Sequence, residues 1–134
     1  MTEVAEYLMA NYYSHYTGSR PDIVPTPEVL EQGLANHPDK VLVIRDDKIR
    51  GVAVYVTLSD ETYQHLQDMD INRADILVTL LAEHGPNVHV LMFAADGLTT
   101  LLMARKEIKR RLNPKTISWW DPTITKLNRF KIRR

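Results

Sequence analysis

The chain is predicted to fold as a single α/β (α+β) domain spanning residues 1–134, with helices flanking a mixed, mostly antiparallel central sheet. Three observations predict this. Lys40–Arg45 (KVLVIR) and Ile49–Leu58 (IRGVAVYVTL) are rich in β-branched residues and are separated only by Asp46-Asp47-Lys48, the pattern of a hairpin. Asn87–Leu112 (NVHVLMFAADGLTTLLMARKEIKRRL) reads as a buried strand, a tight turn at Asp96-Gly97 and a long helix that becomes basic towards its end. Apolar residues at helical spacing mark further helices before the hairpin and between it and that strand.

A chain of 134 residues suffices for one domain with its own core, and 44% apolar and 25% charged residues are ordinary for a globular protein. Without cysteine, disulfides and thiolate chemistry are excluded. The start, MTEVAEYLMANYY, lacks the basic region and apolar core of a secretory signal, and no apolar run approaches the roughly 18 residues of a membrane span. A soluble, cytoplasmic protein with no membrane partner is the expectation. The net charge is zero but unevenly distributed. Residues 1–104 hold 6 Lys/Arg against 15 Asp/Glu, whereas residues 105–134 hold 11 against 2. Such asymmetry can mark a nucleic-acid surface, but no aromatic residues interleave the cations, which argues against nucleic acid as a partner.

In chain order, residues 3–16 are predicted as a helix with Val4, Leu8 and Tyr12 on one face, ended by Gly18 and Pro21. Thr26 reads as the N-cap of a helix with Pro27 at its first position, running to about Asn36. The strand KVLVIR is apolar at four consecutive positions, so it is placed in the middle of the sheet, buried on both faces. Gly51 suggests a bulge or a close backbone approach. Ser59-Asp60-Glu61 would cap a short helix Glu61–Gln67, and Arg73–His84 a second one, broken by Gly85-Pro86-Asn87. The central strand is Val88–Ala94. Asp96 is the expected N-cap of the long helix, whose apolar stripe would be Leu98, Leu101, Leu102, Ile108 and Leu112. Thr116–Trp120 and Asn128–Ile132 complete the sheet, with a turn at Asp121-Pro122 between them.

A strand that delivers its end to a helix N-terminus presents unpaired N–H groups to an anion, which makes Gly97–Thr100 the place expected for a phosphate-bearing ligand. Candidates for acid–base work are His89 at the start of the central strand and Ser118 between Ile117 and Trp119, with Glu61 near the hairpin's end as a third. His15, His37, His65, His84 and His89 are scattered without ligand spacing, so no metal is predicted. Neither a nucleophile elbow nor a P-loop is present. Trp119 and Trp120 point to opposite faces of their strand, one for the core and one for a cleft or partner surface.

Two helices, a hairpin, a central strand feeding a long helix and two further strands form an order that resembles the GCN5-related N-acetyltransferase (GNAT) fold. The tail ISWWDPTITKLNRFKIRR is also similar to the endings of short, divergent acetyltransferase-like proteins of phages and prophages. The resemblance implies an acetyl-coenzyme A site. In the family the central strand splays from its neighbour to admit the cofactor, and the following helix N-terminus holds the pyrophosphate. On this chain, Phe93, Ala94 and Ala95 would hold the pantetheine arm. Gly97, Leu98, Thr99 and Thr100 would meet the phosphates, helped by Arg105 and the basic face carrying Lys109 and Arg110. The acceptor would be a small-molecule or protein amine.

The chain departs from the family in two places. Ala94–Thr100 keeps one glycine of the usual Arg/Gln-x-x-Gly-x-Gly/Ala loop and puts Asp96 beside it, and no tyrosine follows Tyr63 to act as general acid. Two other readings stand beside the enzyme. One is a non-catalytic interaction module, which would fill the wedge with Phe93 or a tryptophan and expose an apolar patch. The other is nucleic-acid binding, which requires Arg105, Lys109, Arg110, Lys131 and Arg133 to form one surface.

Overall fold

A computed structural model describes residues 3–13, 27–67, 80–120 and 127–131. Its elements are α1 (Glu3–Leu8), continued by a π-helical turn Met9–Tyr13; α2 (Pro27–Asn36); β1 (Val41–Arg45); β2 (Ile49–Leu58); α3 (Asp60–Gln67); β3 (Asn87–Ala95); α4 (Leu98–Leu112); β4 (Thr116–Trp120); and β5 (Leu127–Lys131). The strands form one five-stranded sheet in sequence order, antiparallel throughout except between β3 and β4, which run parallel with α4 as their crossover. The α+β class with a mixed, mostly antiparallel sheet is therefore observed.

Both faces of the sheet are covered. Val52, Val54, Val56 and Leu58 of β2 alternate onto one face, where they pack with Leu8, Tyr63, Leu66, Leu80, Leu81 and Met92. Ala53 and Tyr55 turn to the other face, against Leu42, Val88 and Ile117 and under Ala104 and Ile108 of α4. Two bulges interrupt the ladders. Arg50 is the extra residue between the pairs Ile44↔Gly51 and Arg45↔Ile49, and Leu91 is the extra residue between Val54↔Met92 and Tyr55↔Val90. The anticipated capping of the short third helix is present: Ser59 Oγ accepts from the Thr62 N–H at 3.2 Å.

Several expectations are corrected. KVLVIR is not central: β1 is the sheet edge, with Leu42 buried, Val41, Val43 and Ile44 half-buried and Arg45 exposed. An edge strand covered by side chains on both faces carries the same apolar run as a central one, so composition could not separate them. Lys40 leaves the strand for a 3₁₀ turn, Pro38–Lys40. The helix drawn to His84 does not reach it. Leu80–Ala82 is a 3₁₀ turn and residues 83–85 are irregular, while 73–79 lie outside the described residues, as do Thr26 and the Asp121-Pro122 turn. The last strand, Leu127–Lys131, starts one residue earlier than expected, and Ile132 lies outside the described residues.

The apolar stripe of α4 is as expected at Ile108 and Leu112, which pack in the core, but is corrected at its N-terminal end. Its buried residues are Thr100, Ala104 and Ile108, while Leu98, Leu101 and Leu102 are 69%, 42% and 52% exposed. The reason is a close helix–sheet approach. A Cβ on Gly51 would lie 2.7 Å from Thr100 Cγ2 and 3.3 Å from the Ala94 carbonyl, so only small side chains fit on the inner face of the helix's first turns. Gly51 thus has both features suggested for it, a neighbouring bulge and a close approach.

Candidate functional site

The parallel ladder between β3 and β4 is four pairs long, from Asn87↔Thr116 to Val90↔Trp119. β3 then runs on through the Leu91 bulge to Ala95, paired only with β2. The pairing with β4 ends at Val90, and among the described residues no strand lies against that backbone edge of residues 91–95. Ile117 packs under α4, and Trp119, two residues on and 41% exposed, lies on the same face. Half-buried Val90 and Phe93 line that face of β3.

At the end of the open edge the chain turns through Asp96-Gly97 into α4. Gly97, not Asp96, is the N-cap. The Asp96 carboxylate serves otherwise: it accepts from Thr100 Oγ1 at 2.5 Å and pairs with Arg50 Nη1 at 3.1 Å. The Thr100 hydroxyl, then Arg50, hold its carboxyl below the usual carboxylate range. Arg50 also pairs with Asp46 at 3.0 Å, and its carbonyl accepts from the Tyr7 hydroxyl at 2.8 Å. A hydrogen bond with Asp47, the Lys48 N–H and Arg50 lower Asp46 in the same way. Arg45 pairs with Glu3 of α1 at 2.6 Å.

These groups surround an open cavity of about 420 Å³ lined by Ile44, Arg45, Asp46, Arg50, Asp96, Gly97, Leu98, Thr99, Thr100 and Met103. It lies on the hairpin side of the α4 N-terminus. Leu101, two residues before Met103 and so about 160° round the helix, points away from it. The helix start is therefore flanked by this cavity on one side and by the exposed Leu101 on the other. Gly97 is open: a Cβ there would meet nothing within 4 Å, and its φ of 165° is extended backbone.

Of the proposed cofactor-binding residues, Gly97, Leu98, Thr99 and Thr100 line the cavity, whereas Phe93, Ala94 and Ala95 lie along the far end of β3 and Arg105 is not among the lining residues. The cations beside the turn are instead Arg45 and Arg50, which sequence reasoning missed. The pairing of Gly51 with Ala95 carries the hairpin's end to the helix start, a juxtaposition that no local pattern announces. Arg110 and Arg111 both bind Glu107 and hold its carboxyl down at about 2. Lys131's side chain and Arg133 lie outside the described residues, so the continuous basic surface has no support here.

His89 and Ser118 are brought together as opposed residues of the parallel ladder, with His89 Nδ1 2.7 Å from Ser118 Oγ. Both are fully buried, and burial pushes the imidazole pKa down to about 3, so the ring is neutral at pH 7. Glu61 is exposed at the start of α3, beside the end of β2 that pairs with Asn87, and hence at the opposite end of the sheet from Gly97. Trp119 is exposed, and the side chain of Trp120 lies outside the described residues. Among the described residues no cluster of His, Asp or Glu could hold a metal ion, and no helix is long and apolar enough to cross a membrane. No protein-family model matches the chain, and no curated protein matches it.

Proposed function

We propose that this protein is a divergent GNAT-like N-acetyltransferase that binds acetyl-coenzyme A where β3 and β4 part and delivers the acetyl group to an amine, in a phage or prophage setting. The observation that supports it most is the short parallel ladder. It ends at Val90↔Trp119 while β3 continues for five residues, a backbone edge of about 16 Å that is unpaired among the described residues and leads to the N-terminal turn of α4.

The residues fit the group in kind. The edge at Phe93–Ala95 offers backbone donors and acceptors to an extended amide-bearing arm. The open turn Gly97–Thr100 offers N–H groups and the exposed Thr99 hydroxyl to phosphate. Asp96 opposes an anion less than its charge suggests, because Arg50 and Thr100 already engage it. When bound, acetyl-coenzyme A supplies an activated thioester carbonyl for the acceptor amine. The protein's part is to align the two reactants. His89 is inside the sheet and neutral, so in this reading the amine loses its proton to solvent.

A second reading, a non-catalytic interaction module that keeps the fold, is favoured by a different observation. Leu98, Leu101, Leu102, Met103 and Trp119 are all at least 41% exposed around one helix and its neighbouring strand, an unusual concentration of large apolar side chains. Calorimetric titration with acetyl-coenzyme A and with desulfo-coenzyme A separates the two. Micromolar binding, lost on Gly97→Trp, is expected for the enzyme; this substitution puts its bulk into open space rather than into the core. No heat and no thermal shift at millimolar ligand would leave the module.

A further inference from the structure

The two faces of the β3·β4 ladder differ in kind. On the α4 side the opposed pairs are Val88/Ile117 and Val90/Trp119. On the other side they are Asn87/Thr116 and His89/Ser118, and each of these is joined side chain to side chain. Thr116 Oγ1 donates to Asn87 Oδ1 at 2.8 Å, and His89 Nδ1 lies 2.7 Å from Ser118 Oγ. All four residues are buried, with exposures of 1%, 9%, 0% and 0% in that order. Asn87 is anchored further: its Nδ2 donates to the Leu58 carbonyl at 3.2 Å and to Asp60 Oδ1 at 2.8 Å.

Burial alone does not call for polar residues here. The β2 residue opposite His89 is Val56, fully buried in an apolar cluster. A buried polar pair adds little net stability over an apolar one, but it is directional, and leaving one partner unpaired is costly. A parallel ladder of four pairs needs such specification. Burial already opposes a one-residue slip, which turns side chains to the other face, and any slip would break both hydrogen-bonded rungs as they stand. The second rung stands one pair before the strands part, next to the Leu91 bulge.

We propose that Asn87–Thr116 and His89–Ser118 form a latch that sets the register of β4 on β3 and the point at which the strands part, making His89 and Ser118 positioning residues of the groove rather than an acid–base pair. Its consequence for ligand binding rests on the acetyl-coenzyme A reading; its consequence for the strands does not.

The test uses Ser118→Ala and the isosteric Thr116→Val, each of which removes one rung, with Thr116→Ser retaining the hydroxyl. Amide hydrogen exchange is followed at Val88–Val90 and Ile117–Trp119, with the β1·β2 ladder as internal reference. Exchange across β3·β4 is expected to rise at least tenfold in the Ala and Val variants, with β1·β2 unchanged and Thr116→Ser like the parent. Acetyl-coenzyme A affinity should fall at least tenfold in Thr116→Val and hold within twofold in Thr116→Ser. Unchanged exchange at β3·β4, or an equal rise at β1·β2, overturns the latch. Faster local exchange with undiminished affinity overturns the positioning role. A parent protein that shows the exchange pattern yet binds no acetyl-coenzyme A overturns the enzymatic reading and leaves the latch standing.

Discussion

At the scale of single residues, the neutrality of His89 links the sheet to pH. Its pKa is depressed by burial to about 3, below its ordinary 6.5, so the folded state disfavours a proton that the unfolded chain accepts. Its contribution to stability is complete above pH 6.5 and is lost as pH falls from 6.5 towards 3, by up to about 1.4 kcal/mol per pH unit. Urea titrations at pH 7 and pH 5 should show the parent losing about 2 kcal/mol more than His89→Gln over that interval. Equal losses would show that His89 does not titrate with folding. The glycines divide as sharply. A Cβ at Gly85 would come within 2.2 Å of the Leu58 carbonyl group, whereas one at Gly97 meets nothing within 4 Å. Gly85→Ala should therefore cost more than about 2 kcal/mol and Gly97→Ala less than about 0.5, read from thermal unfolding.

At the scale of the element, α4 decides how the chain should be engineered. Its inner stripe of Thr100, Ala104 and Ile108 is small at the N-terminal end, where Gly51 lets the helix come close to the sheet, and larger towards the C-terminus. Ile108→Ala should destabilise by about 2–4 kcal/mol, while Leu102→Ala should change stability by no more than about 0.5. The reverse ranking would restore the leucine stripe that periodicity alone predicts. If the exposed leucines serve a partner rather than the core, Leu102→Ala should weaken that contact without altering the unfolding midpoint.

At the scale of the whole molecule, the sheet is graded from a well-covered centre to an open edge. Among the described residues, β2 is paired on both sides and buried along nearly its whole length, whereas β3 is paired on both sides only as far as Val90. Alternate amides of residues 91–95 that face the gap should exchange at least tenfold faster than those bonded to β2. Saturating acetyl-coenzyme A should slow those amides selectively if the groove holds the cofactor's extended arm. Uniform slowing through the sheet would instead report general stabilisation by a ligand bound elsewhere.

Much of this architecture was legible in the chain. The hairpin KVLVIR–DDK–IRGVAVYVTL, the central strand, the long helix and TISWW were all readable, because period-2 and period-3.6 apolar patterns and turn residues are local. The Gly97–Thr100 turn was legible for the same reason. What lay beyond reach depends on residues far apart in sequence. The edge position of β1 depends on which strands pair. Which face of α4 is buried depends on the missing side chain at Gly51. The neutralisation of Asp96 depends on Arg50, 46 residues away. The meeting of His89 with Ser118 depends on a parallel crossover that brings together residues 29 apart. Sequence by itself determined the elements, since local sterics and side-chain periodicity act within a few residues. Tertiary structure alone decided the edge position of β1, the buried face of α4 and the partners of each charge, since those follow from register and close packing between elements.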